Sequence, residues 1–146
     1  MKAVHILLAA AILAAQAAPA AAAVREFGPE PLRYTLDVPE TWQVSEQAQG
    51  HRLQLSVPGA ETAVTIAIGT LEGRDAGALV RRITRDLSGN ATRRVDSVTW
   101  SFDIVSENVR VRNQLRVFGA YYMVVTMGGA EETIAPVLAS LQLVTP

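Results

Sequence analysis

Cysteine is absent from this chain, and lysine and histidine nearly so. The missing cysteine excludes disulfides, thiolate nucleophiles, cysteine-ligated zinc and iron–sulfur clusters. It equally excludes a lipid anchor on a processed N-terminal cysteine. Lysine occurs once, at Lys2, so every later basic side chain is an arginine. Histidine occurs only at His5 and His51. A Ser-His-Asp triad beyond the first residues would have to use His51, and no Gly-x-Ser-x-Gly elbow accompanies it. Metal sites need histidines or clustered carboxylates at ligand spacing. The one adjacent acidic pair is Glu131 and Glu132, placed where a helix would begin and where negative charge complements the helix dipole. No glycine-rich stretch matches a phosphate-binding fingerprint. The formal net charge is −1, so nothing general draws the chain to nucleic acid. The expectation is therefore no catalytic residue, no cofactor and no metal: a protein that is not an enzyme.

What the chain does have begins with a leader. Lys2 gives a short positive start, the run from Val4 to Ala15 is apolar apart from His5, and Ala21 and Ala23 put small residues at −3 and −1 of a cut before Val24. These are the three parts of a secretory signal peptide. Alanine richness, Gln16 and Pro19 argue against a retained anchor, which is the alternative. Residues 1–23 are thus expected to be a signal peptide and residues 24–146 a single domain, periplasmic or secreted. No later run approaches the length of a membrane span. A domain of roughly 120 residues buries about two thirds of its unfolded surface and needs no covalent staples.

Periodicity supplies the elements. Residues 33–38 alternate with Tyr34, Leu36 and Val38 on one face, and Pro39 to Trp42 forms a turn presenting one large aromatic. Residues 52–57 and 64–70 alternate again around Pro58 and Gly59, a turn pair that makes a hairpin of them. Asp75 is a helix N-cap and Gly89 a stop, with Leu79, Val80, Ile83 and Leu87 on one stripe between them. Strands follow at 99–105 and 108–117, the second with Arg110, Arg112 and Arg116 outward. Residues 120–127 are apolar on both alternate faces, with Tyr121, Met123 and Val125 on one side and Tyr122 and Val124 on the other. A strand of that kind is covered on both sides, which places it at the centre of the sheet. The last helix carries Ile134, Val137, Leu138 and Leu141 on one face; Pro136 fits it best if it starts near Thr133.

Several of these features together resemble the PsbP-like fold superfamily: the early strand through Leu36 and Val38 into Pro39 and Trp42, the paired strands up to Thr70, and the helix over 75–88. The late strands and a final helix leading into Ser140, Leu141, Gln142 and Leu143 complete the likeness. The resemblance implies an α+β domain, an αβα sandwich with an antiparallel sheet of about six to seven strands and a helix on each face. It also implies protein binding without catalysis, as in the small exported bacterial members of that group. No functional residue is carried across from it.

One constellation stands above background. Arg74, Arg81, Arg82, Arg85, Arg93 and Arg94 fall within 21 residues with only Asp75 and Asp86 as acids. The bland account is a solvated helix face. The functional one is a docking surface on Arg74, Arg81, Arg82 and Arg85 for a protein partner or an anionic surface, because guanidinium groups grip carboxylates and phosphates in pairs of parallel bonds. The expected function is an exported, non-enzymatic binding or scaffold domain of the bacterial cell envelope. Its rivals are a small apolar-ligand carrier, which should show a large apolar cavity, and a hydrolase, which should show polar groups converging near His51. Intact-mass analysis of the exported protein should find Val24 at the mature N-terminus; a full-length mass would instead mean a membrane-anchored domain.

Overall fold

The computed structural model describes residues 22–86 and 92–144. The expected leader lies outside the described residues except for Ala22 and Ala23, and so does the Gly89 stop. In chain order the elements are β1 (Ala22–Phe27), β2 (Tyr34–Pro39), β3 (Gln43–Gln47), β4 (Arg52–Ser56) and β5 (Ala63–Thr70). Next come α1 (Ala76–Asp86), β6 (Arg93–Arg94), β7 (Thr99–Ser106), β8 (Val109–Phe118) and β9 (Tyr121–Gly128). Finally there are α2 (Glu131–Ala139) and β10 (Gln142–Leu143).

The strands form two sheets. One has seven strands in the order β3-β4-β5-β9-β8-β7-β6, the other three in the order β1-β2-β10; every pairing is antiparallel. This corrects the αβα sandwich expected from the sequence. β2 does not join the main sheet but leads a second one, and the helices are short, 11 and 9 residues. Neither face of the large sheet carries a helical layer across it. The physical reason is local: Ala22–Phe27 pairs along the whole of β2, and β10 closes its other edge. The first apolar strand thus has its hydrogen bonds satisfied before the main sheet begins.

β9 is the fourth of the seven strands, and its alternation divides the interior into two cores. Met123 and Val125 belong to the first, with Leu53, Leu55, Val64 and Ile66 of the sheet, Tyr34, Leu36 and Val38 of β2, and Ile134 and Val137 of α2. Tyr122 and Val124 pack on the second, where Leu79 and Val80 of α1 bury with Phe102 and Leu115. Each fully buried aliphatic or aromatic side chain stabilises by about 1.5–3 kcal/mol, so these two clusters carry most of the fold. Tyr122 reaches across to Gly69, its register partner on β5; a Cβ at Gly69 would stand 2.5 Å from the phenol. Gly50, at φ +88°, fits against Gly28, where a Cβ would lie 2.5 Å from the carbonyl carbon. That contact seats the turn after β3 against the loop after β1, joining the two sheets.

Local signals place the helices. Asp75 caps α1: its Oδ2 accepts from the Ala78 amide at 2.9 Å. α2 begins two residues before Thr133, so Pro136 lies inside the helix and not in its first turn. Glu132 and Pro136 are both exposed, on the side where a carbonyl relieved of its helical partner meets solvent. The Thr62 hydroxyl accepts from the Ala130 amide at 3.1 Å and holds the start of α2 to the loop between β4 and β5.

Trp42 follows β2 by a tight turn in which its amide donates to the Pro39 carbonyl at 3.0 Å. It is 8% exposed and part of the first core. Trp42→Ala should therefore cost about 3–5 kcal/mol, a large share of the typical 5–15 kcal/mol of a small domain. Chemical denaturation followed by circular dichroism checks this; an unchanged midpoint would contradict the packing described.

Candidate functional site

The arginines singled out by the sequence separate once the chain is folded. Arg74 is a loop-closing residue: it donates from Nε to the Leu71 carbonyl (3.0 Å) and from Nη2 to the Thr70 carbonyl (3.3 Å), and Glu72 lies 3.8 Å away. Arg82 pairs with Asp86 one turn on, at 3.7 Å. Arg94 is folded onto Trp100, 5.5 Å from the ring centroid, and donates to the Asp96 and Ser97 carbonyls. Arg81 and Arg85 differ. Both are exposed on α1, and among the described residues neither makes an ion pair. Four residues apart, they stand one above the other on the helix surface, opposite the Leu79, Val80 and Ile83 side that packs on the second core. Of the four candidate residues, Arg81 and Arg85 thus form a ridge without ion pairs among the described residues, with Arg82 exposed on the same helix.

A second set of arginines lies on β8. By register Arg112, Gln114 and Arg116 share the sheet face of Met127, Val125 and Met123. Arg110 pairs with Asp103 at 3.2 Å and Arg112 with Glu131 at 2.7 Å. Arg116 makes no ion pair among the described residues; its guanidinium lies over the Phe118 ring at 5.1 Å. The sequence marked these three as outward-facing by alternation alone. What alternation did not reveal is that the end of α2 comes down beside Arg116. There a cleft of about 290 Å³ opens, with Phe118, Met123 and Val125 beneath and Leu138, Ala139 and Leu141 as the wall.

His51 occupies an exposed turn with Nδ1 2.9 Å from the Ala48 carbonyl oxygen, and it is not part of this cleft. Among the described residues no group of three or more histidine, aspartate or glutamate side chains could hold a metal ion. No helix among them is long and apolar enough to cross a membrane.

The perturbed titrations belong to structural contacts. The Arg112 hydrogen bond and charge hold the Glu131 carboxyl below the usual carboxylate range, and the same contact raises the Arg112 guanidinium. The Val98 amide, donating at 2.9 Å, holds Asp96 low, with Thr99 adding to it. Burial pushes the Tyr34 phenol up; its hydroxyl is buried with no partner among the described residues.

Neither the protein-family models nor the curated proteins compared with this chain match it.

Glu131 and Asp96 set an acid dependence. Their folded carboxyls titrate below the unfolded values of roughly 4. The stability they contribute is complete above those unfolded values and is lost as pH falls through the folded ones. The denaturation midpoint should fall on acidification through that window. Arg112→Gln should return Glu131 to an ordinary carboxylate titration, read by ¹³C carboxyl NMR, and Asp96 should keep its low value in that variant.

Proposed function

We propose that this protein is an exported, non-enzymatic binding or scaffold domain of the bacterial cell envelope, and that α1 is the element with which it docks an acidic protein partner. The observation that carries this reading is the exposed Arg81–Arg85 pair, which makes no ion pair among the described residues. Like charges one helical turn apart cost an isolated helix a few tenths of a kcal/mol. A partner's carboxylates would remove that cost and add charge-assisted hydrogen bonds. The helix beneath is anchored by Leu79 and Val80, so the ridge is held in place before binding. The signal-peptide pattern of residues 1–23 supports export.

The rivals have less support. The cleft beside α2, about 290 Å³, sits at the small end of ligand pockets and is not the large apolar cavity of a carrier. His51 stands in an exposed turn, its ring nitrogen beside a backbone carbonyl, and it lies outside the cleft.

The test is charge reversal. Arg81→Glu with Arg85→Glu should leave the fold intact, since surface changes away from special contacts stay within about 0.5 kcal/mol each. Site-specific photo-crosslinking from position 78 in the native envelope should give a discrete adduct with an acidic protein. The double variant should lose it, and salt should weaken it in the native protein. An adduct indifferent to both would make the ridge a solvated helix face.

A further inference from the structure

We propose that the cleft between the end of α2 and the β8–β9 part of the sheet is a binding site for a small amphiphilic carboxylate, an anionic head on a short aliphatic chain. The arginines of β8 are not alike. Arg110 and Arg112 are satisfied by Asp103 and Glu131. Arg116, on the same sheet face as Arg112, has no acid within ion-pair distance among the described residues. Asp96 is near enough to feel its charge, but that carboxylate accepts from the Val98 amide at 2.9 Å. Arg116 is exposed, and its guanidinium carbon instead lies over the Phe118 ring, 5.1 Å from the centroid.

Beside this guanidinium the cleft has an apolar floor and wall, while about half of its lining surface is polar. Met123 and Val125 lie beneath it, and Leu138 and Leu141 wall it, with Gln114 adding a neutral amide next to Arg116. An apolar floor and wall ending at a guanidinium that makes no ion pair among the described residues is complementary to an alkyl chain ending in a carboxylate. The carboxylate can take two parallel N–H bonds from arginine, a geometry that lysine or a neutral donor does not offer. A volume of about 290 Å³ admits a short chain and not a full-length lipid tail. At the helix end that faces the cleft, two of the last carbonyls already have partners. The Val137 carbonyl already accepts from the Ser140 amide at 3.2 Å, and the Leu138 carbonyl from the Leu141 amide at 3.1 Å. This site is separate from the α1 ridge and does not depend on it.

The test uses octanoate, kept below its micellar range, and 1-octanol as the uncharged counterpart. Each is titrated into the methyl-labelled protein and followed by NMR. Octanoate should shift the Met123, Val125, Leu138 and Leu141 methyl signals saturably, and octanol the same signals more weakly. Arg116→Gln should weaken octanoate about tenfold, the size of one charge-assisted hydrogen-bonding interaction, and leave octanol unchanged. Ala139→Phe, at an exposed position on the wall, should keep the fold and abolish binding of both. Arg81→Glu with Arg85→Glu should change neither titration. The proposal is overturned if the four methyls show no saturable shift at millimolar octanoate, if Arg116→Gln binds octanoate as the native protein does, or if Ala139→Phe binds both ligands unchanged.

Discussion

Everything in this molecule hangs on β9 having to satisfy two interiors at once. It is hydrogen-bonded on both edges, to β5 over eight register pairs and to β8 over seven, so its place in the sheet is fixed. Because strand side chains alternate with period two, Met123 and Val125 must go to one face and Tyr122 and Val124 to the other. A one-residue slip would exchange the two sets and push Tyr122, which needs the space above Gly69, into the first core. Register, the Gly69–Tyr122 contact and the two cores are therefore one constraint seen three ways.

That constraint explains why the molecule has open sheet as well as covered sheet. The first core lies over β3, β4, β5 and β9, and the second over β7, β8 and β9 on the opposite face. Each face is left half uncovered, and the two uncovered halves lie on opposite sides. Their chemistry differs. Over β3 and β4 the free half carries Gln43, Ser45, Gln54 and Ser56, and over β8 to β6 it carries Arg112, Gln114, Arg116, Ser101, Asp103 and Arg93. The charged half abuts α2, which is why a cleft with an arginine at its rim arises there and not at the amide-rich half.

The legible parts of the fold were those with strong alternation or helical stripes. β2, β4, β5, β7, β8 and β9 all show in the sequence, as do Asp75 as a cap and the turn from Pro39 to Trp42. Three strands do not: β1 and β10, which make the second sheet, and β3 at the edge of the first. β1 (Ala22–Phe27) has no clean alternation and begins inside what reads as the leader. β10 has two exposed residues, and β3 has four exposed polar side chains around Val44. Such strands are fixed by edge hydrogen bonds supplied by a neighbour already in place, and side-chain pattern carries no trace of that. The same holds for the arginines. Composition identified the cluster, but only the fold shows that Arg74 bonds the carbonyls of its own loop and that Arg82 stands 3.7 Å from Asp86. The cleft was invisible because it depends on where α2 ends relative to Arg116, a relation between elements far apart in the chain.

The cleft's usefulness depends on whether its wall stays put, and the contacts of α2 decide that. At its start the Ala130 amide is held by the Thr62 hydroxyl and Glu131 by Arg112. At its end the Ser140 hydroxyl accepts from the Asp37 amide of β2 at 2.8 Å. The Glu131–Arg112 pair is largely exposed and contributes little by itself, as surface ion pairs do. More of the anchoring comes from the burial of Ile134 and Val137, 2% and 3% exposed, and from the two hydrogen bonds to the rest of the fold, one at each end. A nine-residue helix would not be stable alone in water; here it is held along its length and at both termini. Leu138 and Leu141 therefore face Met123 and Val125 across a gap whose width is set by the core and not by a ligand, so occupying it would cost little reorganisation.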